Sequence, residues 1–93
     1  MNEIKVRISQ GIIDEVNLRD MATDEGRSEV SRSMYAKIAA KRKPATIKVT
    51  QAEFAELWDE ADYWMPERGS ESYLKSWKAL YRQLAKLKNA EIA

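Results

Sequence analysis

The stretch EIKVRIS, residues 3–9, alternates strictly between polar and apolar side chains. A period of two, with β-branched residues at the apolar positions, is typical of a strand that buries one face. The apolar face consists of Ile4, Val6 and Ile8. The outward face carries Glu3, Lys5, Arg7 and Ser9. Because a lone strand leaves backbone groups unpaired, we predict a dimer or larger assembly through residues 3–9.

The segment that follows, residues 10–25, fits both a helix and a strand. On a helix, Ile12, Ile13 and Val16 share one face, but the apolar residues between 18 and 22 fall nearly opposite. On a strand, Asp14 intrudes on the apolar face, and Gly11 supplies the positive φ of a hairpin turn. Both conformations therefore stay open, and a hairpin over residues 4–18 would make a compact α+β protein.

A helix is predicted after Gly26. Ser28 can cap it by accepting a hydrogen bond from the first turn, and Pro44 ends it. The segment ATIKVT, residues 45–50, is extended and can supply a further strand.

Two more helices are predicted in the C-terminal half. Thr50 and Glu53 have the spacing of a capping box before the first of them. The segment MPERGS, residues 65–70, breaks it, and a last helix runs from about Ser70. The fold class is therefore α+β and mostly helical, with an N-terminal strand, in a ribbon or a hairpin, followed by three or four helices. We expect a strand-helix-helix unit at 1–43 and a helical oligomerisation or interaction region at 44–93, or one core shared by both.

The composition argues against an enzyme. The chain of 93 residues contains neither histidine nor cysteine, which removes the commonest general base, thiol nucleophile and metal ligands. Its three glycines are isolated, so no phosphate-binding loop is present. We expect no catalytic residue, no cofactor and no metal. No apolar run approaches a membrane span, so we expect no membrane partner and a cytoplasmic location.

Charge is distributed unevenly along the chain. Residues 27–48 contain seven bases and one acid, whereas residues 53–62 contain five acids and no base. Such asymmetry indicates an anionic partner for the basic segment. The alternative is that the two segments neutralise each other within the fold or in a dimer.

Two stretches resemble the ribbon-helix-helix DNA-binding family. IKVRIS, residues 4–9, is similar to its N-terminal ribbon, and GRSEVSRSMY, residues 26–35, is similar to its turn and second helix. The segment between them is about two residues longer than in the small phage repressors of that family. The resemblance covers about the first 43 residues. It implies two chains whose ribbons pair into one sheet that enters the DNA major groove.

The resemblance assigns DNA-binding roles to five residues. Lys5 and Arg7 would contact bases, because their side chains donate hydrogen bonds to guanine. Ser28, at the N-terminus of the second helix, would bind a phosphate, with Arg27 and Arg32 beside it. The implied function is a small transcriptional regulator, or repressor, of phage or mobile-element type.

A protein-binding function is the competing hypothesis. A small charged protein without a catalytic site is also typical of phage-type inhibitors that block a host protein or nucleoprotein complex, as anti-CRISPR proteins do. In that case the binding surface would be an acidic helix face. It would consist of Glu53, Glu56, Asp59, Glu60 and Asp62.

Overall fold

The computed structural model describes the backbone of residues 3–92 and the side chains of residues 3–89. Within that range the protein is α+β and mostly helical, as predicted. The elements in chain order are β1 (Ile4–Ile8), α1 (Gln10–Leu18), α2 (Glu29–Ala39), β2 (Ala45–Val49), α3 (Gln51–Trp64) and α4 (Ser72–Ile92). None of these helices is long and apolar enough to cross a bilayer.

Strand β1 pairs antiparallel with β2 of the same chain. Ile4 lies opposite Val49, and Val6 lies opposite Ile47, so the buried faces of the two strands coincide. The strand partner that the sequence analysis sought in a second chain is therefore the segment at 45–49. Because β2 pairs with the backbone groups along one edge of β1, these groups do not need a second chain as a partner.

The other edge of β1 is covered near its C-terminal end by a side chain of α4. The Arg7 backbone N–H donates to Gln83 Oε1 at 2.7 Å, and Gln83 Nε2 donates to the Arg7 carbonyl oxygen at 2.8 Å. The amide thereby imitates one step of a strand ladder. Whether the protein dimerises stays a prediction, but pairing through this edge has to displace Gln83.

Residues 10–18 form a helix, so the strand alternative for them is wrong. Ser9 caps this helix by accepting from the Ile12 N–H at 3.4 Å. The helix ends at Leu18, whose side chain is 77% exposed, and a turn with Asp20 at φ 51° follows. This turn returns Met21 to the core, where it is fully buried. The shift of the apolar pattern after residue 16 therefore marks the end of the helix.

The predicted caps of α2 and α3 are confirmed. Ser28 Oγ accepts from the Ser31 N–H at 3.1 Å. Thr50 and Glu53 exchange two hydrogen bonds in a complete capping box, since each side chain accepts from the other residue's backbone N–H. Helix α3 consequently begins directly after β2, with no intervening loop.

One hydrophobic cluster extends from β1 to α4. Trp77 of α4 is fully buried, and its indole N–H donates to Glu15 Oε1 of α1 at 3.2 Å. Arg19 pairs with the same carboxylate oxygen at 2.9 Å, so the buried acid is satisfied. Both sequence halves, 1–43 and 44–93, thus contribute to this cluster.

Candidate nucleic-acid interface

The outward side of the two-stranded sheet is polar and basic. Because strands alternate, the residues between the buried ones point away from the core. Lys5 lies directly opposite Lys48, and Arg7 lies opposite Thr46. All four are exposed, and we call them the ribbon face. The predicted DNA-contacting residues Lys5 and Arg7 thus share one surface with two residues that the sequence analysis did not select.

The Lys5–Lys48 pair places two like charges in register. Residues opposite each other on an antiparallel pair have Cβ atoms about 4.5–5.5 Å apart, and like charges there are destabilising. Neither lysine forms an ion pair with any side chain that the structure describes. The free protein therefore carries an electrostatic cost that an anionic ligand would remove.

The loop between α2 and β2 extends this basic surface. Residues 41–43 are all basic and exposed, and we call them the basic loop. Lys41 lines a shallow groove together with Thr46 and Lys48 of the ribbon face. At the other side of the loop, Pro44 lies beside Arg7 in a second shallow groove. The positive segment at 27–48 is visible in the sequence, but only the pairing of β1 with β2 places Lys48 opposite residue 5 and Thr46 opposite residue 7.

The phosphate-binding residues predicted at the start of α2 lie elsewhere. Arg27 Nη1 pairs with Glu60 Oε1 at 3.1 Å, and its guanidinium lies 5.3 Å from the ring centroid of Tyr35. Ser28 Oγ donates to Glu56 Oε1 at 3.3 Å. A carboxylate of α3 thus occupies the place where the resemblance puts a phosphate.

Arg32, also predicted to bind phosphate, is partly buried on α2. Its Nε is buried and has no hydrogen-bond partner within the described residues. Ser28 and Lys37 are nine residues apart on α2, which corresponds to about 14 Å along the helix axis. Lys37 contacts β2 through the Lys48 carbonyl oxygen, at 2.9 Å. The structure consequently does not bring the start of α2 together with the ribbon face.

Glu53 is not part of an exposed acidic face, which corrects the sequence prediction. Its side chain is buried and accepts from Lys37 Nζ at 2.7 Å. Burial raises the pKa of Glu53. Hydrogen bonds from Lys37, the Thr50 N–H and Ser33, together with the positive charge of Lys37, lower the pKa by more than burial raises it. The pKa of Glu53 therefore lies below its ordinary value. This carboxylate joins α2, β2 and α3, and its role is structural.

The remaining predicted acids divide into two groups. Glu56 and Glu60 are partly buried against the start of α2, where they bond Ser28 and Arg27. Asp59 and Asp62 are exposed. The expectation that the two charged segments neutralise each other within the fold is confirmed for the pairs Arg27–Glu60 and Lys37–Glu53. Within the described structure, the basic segment keeps five bases without ion pairs: the partly buried Arg32, the three residues of the basic loop, and Lys48 of the ribbon face.

No known protein family, characterised protein or solved structure shows significant similarity to this chain. The resemblance to the ribbon-helix-helix family therefore stays a prediction.

Proposed function

We propose that this protein binds duplex DNA through the ribbon face and acts as a small, non-enzymatic regulator. The observation that carries the proposal is the Lys5–Lys48 pair, in which two unpaired cations lie opposite each other on an exposed two-stranded ribbon. A phosphate or a base edge between them would convert mutual repulsion into attraction on both sides.

The dimensions and chemistry of the ribbon face fit a major groove. That groove is about 12 Å wide and admits a two-stranded β-ribbon. Arg7 and the two lysines donate to guanine O6 and N7, and the Thr46 hydroxyl can donate or accept. The basic loop, of which Lys41 lines a groove with Thr46 and Lys48, supplies charges for the flanking phosphates.

In this proposal a single chain supplies a complete ribbon. The ribbon-helix-helix resemblance implies that each chain supplies one strand, whereas β1 here pairs with β2 of its own chain. Binding as a monomer is therefore compatible with the proposal. A phage or mobile-element origin and a cytoplasmic location belong to the same proposal and rest on the resemblance and composition alone.

The alternative of a protein-binding inhibitor has less support from the acidic surface. Three of the five predicted contact residues, Glu53, Glu56 and Glu60, are already bonded within the chain. Asp59 and Asp62 remain exposed, next to Tyr63, which is 65% exposed. A patch of this size gives little area for a stable protein interface.

The test is duplex binding measured by fluorescence anisotropy at about 50 mM salt, with a randomised library to select a preferred sequence. Lys5→Ala and Arg7→Ala should each weaken binding to the selected site by about 1–3 kcal/mol. Arg68→Ala is the matched control, because it removes one exposed charge from the α3–α4 connection. Failure of the wild-type protein to bind any duplex at low salt contradicts the proposal, as does equal binding by all three variants.

A further inference from the structure

Helix α4 carries a second basic surface, separate from the ribbon face and the basic loop. Residues 72–90 contain five bases and no acid. Four of these bases are exposed and form no ion pair within the described residues, and one of the four, Lys88, lies over the Trp58 ring at 4.7 Å from its centroid. The other three are Lys75, Arg82 and Lys86. At 100° per residue they fall within about 40° of one another, so they form one row along the helix, which we call the α4 stripe.

The packing of α4 orients this stripe towards the outer side of the sheet. Trp77 and Leu84 face the core, about half a turn from the stripe. Gln83 stands between the buried side and the stripe, about a quarter turn from each, and it bonds the outer edge of β1 at Arg7. Around the circumference of α4, the edge of β1 therefore lies between the core-facing side and the stripe.

The direction of α4 decides which members of the stripe lie beside the ribbon. Gly11 packs so closely on Ser76 that an added Cβ would overlap the serine hydroxyl, while Arg7 lies beside Gln83. Helix α4 thus runs opposite to the chain direction from Arg7 to Gly11. Along the axis of α4, Arg82 and Lys86 consequently lie level with β1, and Lys75 lies level with the start of α1.

We infer that Arg82 and Lys86 contact the phosphate backbone of the same DNA duplex that the ribbon face holds. The inference rests on the proposed function and extends it from base contacts to a positioning surface on α4. Phosphate contacts fix the register of a protein on DNA without selecting sequence, and they release counterions. Arg82 and Lys86 therefore contribute affinity and salt dependence, whereas Lys5 and Arg7 contribute sequence preference.

The experiment compares Arg82→Ala/Lys86→Ala, Lys5→Ala/Arg7→Ala and the control Arg68→Ala with the wild-type protein. Each is titrated with the preferred duplex and a scrambled duplex between 50 and 200 mM salt. Loss of two phosphate contacts should lower the slope of log K against log salt by about 1.8. When the salt concentration rises fourfold, the wild-type protein should lose affinity by a factor about 12 times larger than the factor by which the α4 variant loses affinity. At a given salt concentration, the α4 variant should bind both duplexes more weakly than the wild type, by the same factor. Circular dichroism should show that its fold is unchanged.

The outcomes separate this inference from the proposed function. If the ribbon variant loses sequence preference while the α4 variant keeps the wild-type slope and affinity, the α4 contact is wrong and the ribbon proposal stands. If only the α4 variant loses affinity, the ribbon proposal is wrong and the duplex lies on α4 alone. Tighter binding to phosphatidylserine vesicles than to any duplex would overturn both and identify a lipid surface as the anionic partner.

Discussion

Lys5 and Lys48 are direct cross-strand partners on the exposed face of the β1–β2 sheet. Each belongs to a strand whose other face packs in the core, so both side chains leave the backbone on the same exposed surface. The pair joins a residue near the N-terminus to one more than forty positions later. Two like charges in register lower the stability of the free protein, but both are needed for the proposed DNA binding. A substitution that removes the repulsion should therefore raise stability and weaken binding.

Replacing Lys48 with glutamate should stabilise the protein and eliminate DNA binding. The substitution converts a repulsive cross-strand pair into an attractive one, worth about 1 kcal/mol. For a domain of this size, the melting temperature should rise by about 4–8 °C. Thermal denaturation and duplex titration of Lys48→Glu measure both effects. Arg68→Glu makes the same change in net charge and should move neither quantity appreciably. A variant that is more stable and still binds DNA normally would exclude Lys48 from the interface.

Removing the Glu53 carboxylate should destabilise the protein in a pH-dependent manner. In the folded state the pKa of Glu53 is lowered, so this group stabilises the protein above the ordinary glutamate range, and the contribution is lost as the pH falls through the lowered value. We expect Glu53→Gln to reduce the free energy of unfolding by about 1–3 kcal/mol at pH 7. The difference from the wild type should shrink below about pH 4.

Urea denaturation between pH 3 and pH 7 gives this difference directly. Asp62→Asn is the control, because Asp62 is exposed and forms no ion pair in the described structure. A difference between Glu53→Gln and the wild type that stays constant across the pH range would show that the ionised carboxylate is not what stabilises the junction of α2, β2 and α3.

Replacing Gln83 with alanine should open the outer edge of β1. The variant loses both hydrogen bonds to Arg7, and because these are solvent-exposed we expect a cost of about 1 kcal/mol in unfolding free energy. If β1 mediates a dimer, removing Gln83 should strengthen it, since the freed backbone can pair with a second β1. Light scattering at about 100 µM on the wild type and on Gln83→Ala measures this. Monomers in both samples would refute the dimer predicted through residues 3–9.

A fragment ending after Pro44 should not fold. It lacks β2, the partner of β1, and it lacks Trp77 and Leu84, which are fully buried in the common cluster. Circular dichroism and urea titration of fragment 1–44 should show no cooperative transition. A folded fragment would instead show that residues 1–43 are an independent unit and that the remainder is an added oligomerisation region.

The strand β1 and the helix caps were predicted correctly, because the determining interaction lies within one element, whereas α2 ends at Ala39 and not at the predicted stop, Pro44. The alternation of residues 4–8 indicates a strand because side chains on a strand point to opposite faces in turn. Ser28 and the Thr50–Glu53 pair were identified as caps because the spacing alone brings each oxygen to a backbone N–H. By contrast, α1 was left ambiguous, since its apolar pattern continues into a turn in which Met21 re-enters the core from a different direction.

The sequence by itself determined the fold class and the outward position of Lys5 and Arg7, because these follow from the periodicity of apolar residues, and it determined the caps, because these follow from local residue spacing. Only the tertiary structure decided that β1 pairs with β2, which places Lys48 opposite Lys5. It also decided that Glu53 is buried by Lys37 and that Arg27 and Ser28 face carboxylates of α3. These relationships join residues 16–43 positions apart, and a one-dimensional pattern does not encode which distant charges meet. Their selection depends on how the apolar faces of six elements fit into one core.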